Sequence, residues 1–321
     1  MFEVQRYNSE YRSQWDSFVP KKNNGTIFHL RSFLSYHPKS RFHDHSLLFY
    51  KKKKLFSVFP AAQKKINKKL YIVSHPGATL GSFVLPQDLS ISDSLNLVKA
   101  LKNYCKEKNF DVIQITTPPN LYQHRLSNYI EFSFIKNKFF YSKREVTSIL
   151  HLENNIEKNL KKFKLSHKRA IKKGLKKGLV CKEHIEFEKF YIMLKKNLKK
   201  RHGVTPTHTL FELKKLYKIF PQKIKLFGSF YKGKMVAGVL NFIVNEQVVL
   251  AFYITHDEKY SDIRPLNILF YNMFEWAIKL NFKIYDFGIF TVNGDPNMGL
   301  GRFKENFGAS GIFRDTFELS L

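Results

Sequence analysis

The stretch of this 321-residue chain best suited to chemistry runs from Leu250 to Ala309. A β-type run, Phe252-Tyr253-Ile254, gives way to the loop His256 to Ile263, and a helical pattern opens at Arg264-Pro265-Leu266-Asn267. Proline suits a first helical position because its missing N–H has no partner there anyway. The amides of such a turn, at the positive end of the helix dipole, form a cradle for an anion. Ser261, Arg264 and Asn267 offer side chains to a phosphate, with Pro265 and Leu266 in the same turn; an ordinary capped helix is the competing reading. The next strand ends Ile284-Tyr285-Asp286-Phe287-Gly288. A loop from Thr291 to Gly299 follows, then Leu300-Gly301-Arg302-Phe303-Lys304-Glu305-Asn306-Phe307-Gly308-Ala309.

An internal repeat supplies the frame for these residues. Phe49-Tyr50-Lys51-Lys52-Lys53 recurs as Phe230-Tyr231-Lys232-Gly233-Lys234, and Ser74-His75 lies opposite Thr255-His256 at the same offset of 181. Leu97 to Thr116 matches Leu269 to Gly288 at an offset of 172, so the difference of 9 falls in one loop, longer in the first copy. Each copy reads as a hairpin around a basic turn (Leu47–Tyr50 with Leu55–Phe59; Ile224–Phe230 with Met235–Val244), then strand, helix and strand. The helices are predicted over Ser94–Glu107 and from about Pro265 to Leu280. Helical lead-ins are predicted at Glu10–Phe18 and Phe28–Tyr36 in the first copy, and at Asn155–Lys177 and Phe187–Lys200 in the second. The expectation is an α/β protein with mixed sheets, in two tandem domains, 1–150 and 151–321, with a cleft between them.

The order of strand, anion loop, helix and strand in the second copy resembles the GCN5-related N-acetyltransferase (GNAT) superfamily. More closely, the chain is similar to its FemAB-like tandem branch. The residues carrying the resemblance are Tyr260 to Asn267, Tyr285 to Gly288 and Gly299 to Lys304, together with Lys168-Arg169-Ala170-Ile171-Lys172-Lys173-Gly174, which fits the basic helix opening the second domain of that branch. The resemblance implies two GNAT-like domains, a donor site in the second, and a degenerate donor site in a first domain that frames the acceptor. It implies acyl-CoA, such as acetyl-CoA, as co-substrate, and no metal is called for. One departure is that His256 to Ile263 contains no glycine where the ordinary acetyltransferase loop has two small residues, and side chains keep a backbone further from pyrophosphate.

Acyl transfer to an amine needs a neutral nucleophile, a stabilised oxyanion and a proton for the leaving group. The resemblance gives Lys304 the electrostatic role. Asp286 either orients or deprotonates the amine or caps the turn after its strand. His256 is a third candidate, as a proton carrier, although His75 at the matching place in the first copy favours a structural role. Tyr253 and Tyr285 either point into a donor channel or pack in the core. Lys200-Arg201-His202-Gly203-Val204-Thr205-Pro206 resembles an acceptor segment, contributing Arg201 and His202. Its first-domain counterpart, Gly25 to Arg31, contributes His29 and Arg31, or is simply a helix start capped by Thr26.

Composition limits the partners. The net charge is +29, yet only 11 of the 55 basic residues are Arg, the side chain that phosphate and base readers favour. From Asn155 to Gly178 ten basic residues stand with one acid, Glu157. Ile156, Leu160, Phe163, Ile171 and Leu175 recur there at helical spacing, under a face that is solvated, grips acidic lipid or nucleic acid, or clamps substrate phosphates. Two distant cysteines, Cys105 and Cys181, read as free thiols. A polar N-terminus and no run of ~18 apolar residues point to the cytoplasm, with peripheral contact at an acidic membrane surface as a further expectation. The leading expectation is an acyltransferase acting on the amine of a small-molecule, lipid-linked or nucleotide-linked sugar or peptide precursor of the cell envelope. The alternatives are an aminoacyl-tRNA-dependent transferase, for which tRNA is a partner, and a non-catalytic RNA- or membrane-binding protein on the same scaffold.

Overall fold

The computed structural model describes residues 2–321; the side chains of Arg201 and His202, both expected near an acceptor, lie outside the described residues. The chain divides into two compact units, one of Met1–Glu145 with Phe313–Leu321, the other Val146–Ile312.

The first unit opens with β1 (Glu3–Arg6), α1 (Arg12–Phe18), α2 (Arg31–Leu34) and β2 (His43–Asp44). The hairpin β3 (Leu47–Lys51) and β4 (Lys54–Phe59) follows, then β5 (Ala62–Ile66), β6 (Lys69–Ser74), α3 (Ile91–Glu107), β7 (Val112–Thr116), α4 (Tyr129–Lys136) and β8 (Phe140–His151), whose residues from Val146 on belong to the second unit. The second unit holds α5 (Ile156–Lys162), α6 (Leu165–Lys176), β9 (Val180–His184), α7 (Phe187–His202) and α8 (Leu210–Ile219). After these come β10 (Ile224–Tyr231), β11 (Lys234–Ile243), β12 (Val248–His256), α9 (Pro265–Lys279), β13 (Ile284–Ile289), β14 (Thr291–Val292), β15 (Asp295–Pro296), α10 (Met298–Glu305) and β16 (Ser310–Ser320), whose residues from Phe313 on belong to the first unit.

The repeat is present as structure. In each unit a helix crosses between two parallel strands: β6 pairs with β7 through Tyr71↔Val112 to Ser74↔Ile115, and β12 with β13 through Val248↔Ile284 to Leu250↔Asp286. Helix α3 starts at Ser90, whose side chain accepts from the Asp93 amide, and α9 starts on Pro265. Leu269, Phe270, Met273, Phe274 and Ala277 recur at helical spacing, so one face of α9 is buried, with Tyr285 and Phe287 of β13 in the same core.

The structure departs from the sequence reading at three places. The hairpin β3–β4 of the first unit forms a separate small sheet with β1, while β6 takes the unforeseen β5 as its neighbour. In the second unit β10, β11 and β12 pair in succession. The expected boundary at 150/151 also assigned the C-terminus to the second domain. Instead Thr316–Ser320 of β16 pairs antiparallel with β7, and Phe317 and Leu319 enter the first core. Finally, the predicted lead-in helix breaks at Phe163, and Leu175, predicted on the buried stripe, is exposed; His167, Ile171 and Gly174 take that face.

His29 and Arg31, expected to meet a substrate, are both spent inside the first unit. His29 is fully buried; its Nδ1 accepts from the Thr26 amide (3.1 Å) and its Nε2 lies 2.7 Å from the Gly81 carbonyl, so the neutral ring carries its proton on Nε2. Arg31 donates to Ser46 Oγ (2.7 Å) and Asp44 Oδ2 (2.5 Å) and lies over the Tyr7 ring. Thr26 is the cap of that turn, so the helix-start reading is the one realised.

Burial lowers the His29 pKa to about 4 from an ordinary 6.5. A proton therefore binds the unfolded chain first, and the His29 contribution, complete above pH 6.5, is lost as pH falls towards 4. Between pH 7 and 4.5 this amounts to about 2–3 kcal/mol. Glutamine supplies both an acceptor and a donor there, so His29→Gln is expected to show a shallower loss of stability over that window in denaturant titrations. Equal slopes for the two proteins would remove His29 from the acid response.

Candidate functional site

The residues singled out in the second unit fall into two groups. The first surrounds Gly288, near the end of β13. Gly288 has φ +76°, a left-handed conformation open to glycine at no steric cost. Its N–H donates to Asp286 Oδ1 at 2.6 Å, and its carbonyl accepts from Lys304 Nζ at 2.6 Å. Lys304 Nζ also donates to the Ile289 carbonyl, at 2.9 Å. Asp286 is 0% exposed and Lys304 1%. Thr147 of β8 donates its hydroxyl to Asp286 in a short bond. Strand β13 thus leaves β12 after Asp286 and is next paired at Ile289, with Thr147 of β8. Asp286 and Lys304, 18 residues apart in sequence, are joined through the two main-chain polar groups of Gly288.

Asp286 has the geometry of a turn cap: it is buried, with its Oδ1 engaged by Thr147 and Gly288. Lys304 sits in α10, which begins at Met298 with Asn297 accepting from the Leu300 amide. Gly301 in that helix is packed so that an added Cβ would meet the Phe290 ring at 3.2 Å, and the same ring lies 5.9 Å from the Lys304 ammonium. The ammonium is therefore fixed by two carbonyls and an aromatic ring.

The second group stands at the far end of β12. His256 Nε2 is 3.4 Å from Ser261 Oγ, and the His256 carbonyl accepts from Asn197 Nδ2 of α7 at 2.6 Å. Ser261 donates to the Glu258 carbonyl (2.8 Å) within the short 3-10 turn Glu258–Ile263. Arg264, exposed and left-handed at φ +56°, caps the start of α9. Pro265 has no N–H to offer, and the Asn267 amide already donates to the Arg264 carbonyl at 3.2 Å, so the amide cradle is thinner than the sequence suggests. Pro265 and Asn267 are buried and Leu266 is half-buried, which leaves Arg264 as the open member of the five. His75, the counterpart of His256, is buried in the first unit with a pKa lowered to about 3 by burial, and accepts from the Gly77 amide.

The two tyrosines separate. Tyr285 is fully buried and donates to Asn241 Oδ1 at 2.6 Å, so it belongs to the core and not to a channel. The period of two along β13 puts its side chain opposite that of Asp286. Tyr253 is half-buried; its hydroxyl lies 3.0 Å from His208 Nδ1 and accepts from the His208 amide at 3.3 Å, tying down the loop after α7. Thr147, Asn197 and His208 were not read from the sequence, because each meets its partner only through the sheet or helix that carries it.

A cavity of about 590 Å³ opens beside the second group, between α7, the β10–β11 turn and Asp257–Lys259. Ile192, Met193 and Met235 give it an apolar side, and Asn197, Lys200 and Glu258 a polar one. Among the described residues no cluster of three or more His, Cys, Asp or Glu is placed to hold a metal, and no helix is long and apolar enough to cross a membrane.

A family model for the acetyltransferase (GNAT) domain matches residues 161–305. No curated protein matches the chain significantly. Among solved structures, FemX is similar over 99% of this chain and 97% of its own, at a TM-score of 0.76 and 14% identity. The C-terminal domain of a putative lysylphosphatidylglycerol synthetase from Agrobacterium fabrum is similar over 97% of this chain and 92% of its own, at 0.59 and 9%. A tandem GNAT protein from the clavulanic acid biosynthesis pathway covers 100% and is covered to 98%, at 0.57 and 8%. At such identities the likeness is one of fold. Residues 161–305 thus match the GNAT acetyltransferase domain, and the chain has the fold of the tandem GNAT proteins.

Proposed function

We propose that the protein is an acyltransferase that moves an acyl group from acyl-CoA to the amine of a sugar or peptide precursor of the cell envelope. The observation that carries this reading is the buried Lys304 ammonium, held at the point where β13 leaves β12, inside a GNAT acetyltransferase domain. The neutral amine attacks the acyl carbonyl, the tetrahedral oxyanion collapses, and the thiolate leaves with a proton. A cation already oriented by the Gly288 and Ile289 carbonyls stabilises that oxyanion without reorganising as charge develops. Asp286, engaged by Thr147 and Gly288, is a positioning residue for this turn. His256, half-buried beside Ser261, is the candidate proton carrier, and Arg264 at the start of α9 the candidate phosphate contact.

A second reading, an aminoacyl-tRNA donor, is favoured by one feature. The turn before α9 has no glycine, its Ser261 hydroxyl is bonded within the turn, and its first-turn amides are largely spent. Calorimetry with CoA and acetyl-CoA decides between them. Micromolar binding supports the acyl-CoA reading. No CoA binding, with salt-sensitive retention of charged tRNA, moves the assignment to the second. Binding of neither donor leaves a non-catalytic protein on this scaffold.

Two substitutions test the roles. Lys304→Ala is expected to lower kcat by roughly a hundredfold or more with donor affinity kept. Unchanged turnover would end the oxyanion assignment, and lost donor binding would make Lys304 a donor contact; a thermal melt reads any cost of the unpaired carbonyls. Asp286→Asn keeps an oxygen for Thr147 and Gly288, so turnover is expected to stay within about tenfold and the pH profile to keep its shape. A loss in the range of ~10²–10⁴, with one limb of the profile gone, would instead make Asp286 the general base.

A further inference from the structure

The basic helix α6 is not used by the chemistry above. It is seated by His167, Ile171 and Gly174, and Gly174 packs so closely that an added Cβ would meet Ile268 of α9 at 3.3 Å. At 3.6 residues per turn, Leu165, Arg169, Lys172 and Lys176 lie on the side away from these, with Lys168 and Leu175 along one margin and Lys173 along the other. No acidic residue occurs between Glu157 and Glu183. Among the described residues Lys168, Arg169, Lys172, Lys173 and Lys176 make no ion pair or hydrogen bond with a carboxylate, whereas Lys162 of α5 is paired with Glu153. Leu165 and Leu175 are 60% and 56% exposed in the midst of this charge.

We propose that the outward face of α6 docks on a membrane surface rich in acidic phospholipid. A fixed helix face of cations with apolar side chains set among them fits the boundary between headgroups and acyl chains. Lysine stems lie along the apolar layer while their ammonium groups reach phosphate. Nucleic acid fits less well. The face has one Arg and no aromatic side chain for stacking, and exposed leucines give nothing to a phosphate backbone. This surface stands apart from the acyl-transfer reading, and its test needs no turnover.

The full chain is sedimented with phosphatidylcholine vesicles, alone or with about one third phosphatidylglycerol. Binding is expected only to the mixed vesicles. Each cation near such a surface is worth roughly fivefold, so Lys168→Glu, Lys172→Glu and Lys176→Glu together are expected to lower the partition at least a hundredfold. Leu165→Ser with Leu175→Ser is expected to lower it several-fold at unchanged charge. Circular dichroism checks that both variants fold. Equal binding to pure phosphatidylcholine, or binding indifferent to the glutamates or to the serines, overturns the proposal. So does an absence of vesicle binding combined with tRNA retention that the glutamates abolish, which would make the face an RNA surface.

Discussion

One residue, Gly288, organises the second half of this chain. A buried carboxylate and a buried ammonium each carry a large desolvation cost, which only well-placed partners offset. Gly288 offers a partner to each: its N–H meets Asp286 and its carbonyl meets Lys304. That geometry needs the left-handed backbone of Gly288, and it takes β13 out of register with β12 beyond Asp286. The end of the parallel pairing, the docking of α10 and the place of the ammonium are therefore one structural decision. Replacing either charge with an apolar residue would leave the other buried and only partly compensated.

The first unit repeats the scaffold without that device. Gln114 stands where β13 has Asp286, and it donates to Glu318 of β16 at 3.0 Å. Its parallel pairing runs on from Tyr71–Val112 to Ser74–Ile115. His29 and Arg31, which looked chemical in the sequence, serve local structure instead, His29 closing the turn of Thr26 and Arg31 joining Asp44 and Ser46, while His75 closes the turn of Gly77. The copies share crossover topology and differ in whether a charged pair is buried at the strand end.

What the sequence made legible was local. The two crossover helices and the strands around them followed from hydrophobic period and from a proline at the first turn of α9, whereas the Ser90 cap that starts α3 was not read. Membership of a sheet was not local. Strand β16 had to be placed beside β7, and nothing within Ser310–Ser320 names that neighbour. The site divides the same way. Asp286 and Gly288 are two residues apart and a strand-end cap was foreseeable, whereas Thr147 reaches Asp286 across 139 residues. Tyr285 was open to better reading, since its neighbour Asp286 had to face the other way.

Lys304 shows how the two levels combine. By composition it is one of 44 lysines, and only the surrounding motif set it apart. The fold separates it on a different ground, burial: the lysines of α6 stand in solvent, while Lys304 is enclosed and meets main-chain oxygens. A flexible side chain held by backbone carbonyls has its position set by the turn and not by other side chains. An oxyanion formed within reach of that ammonium would meet a donor whose ordering cost was met on folding, which is the condition for electrostatic catalysis to favour the transition state over the ground state.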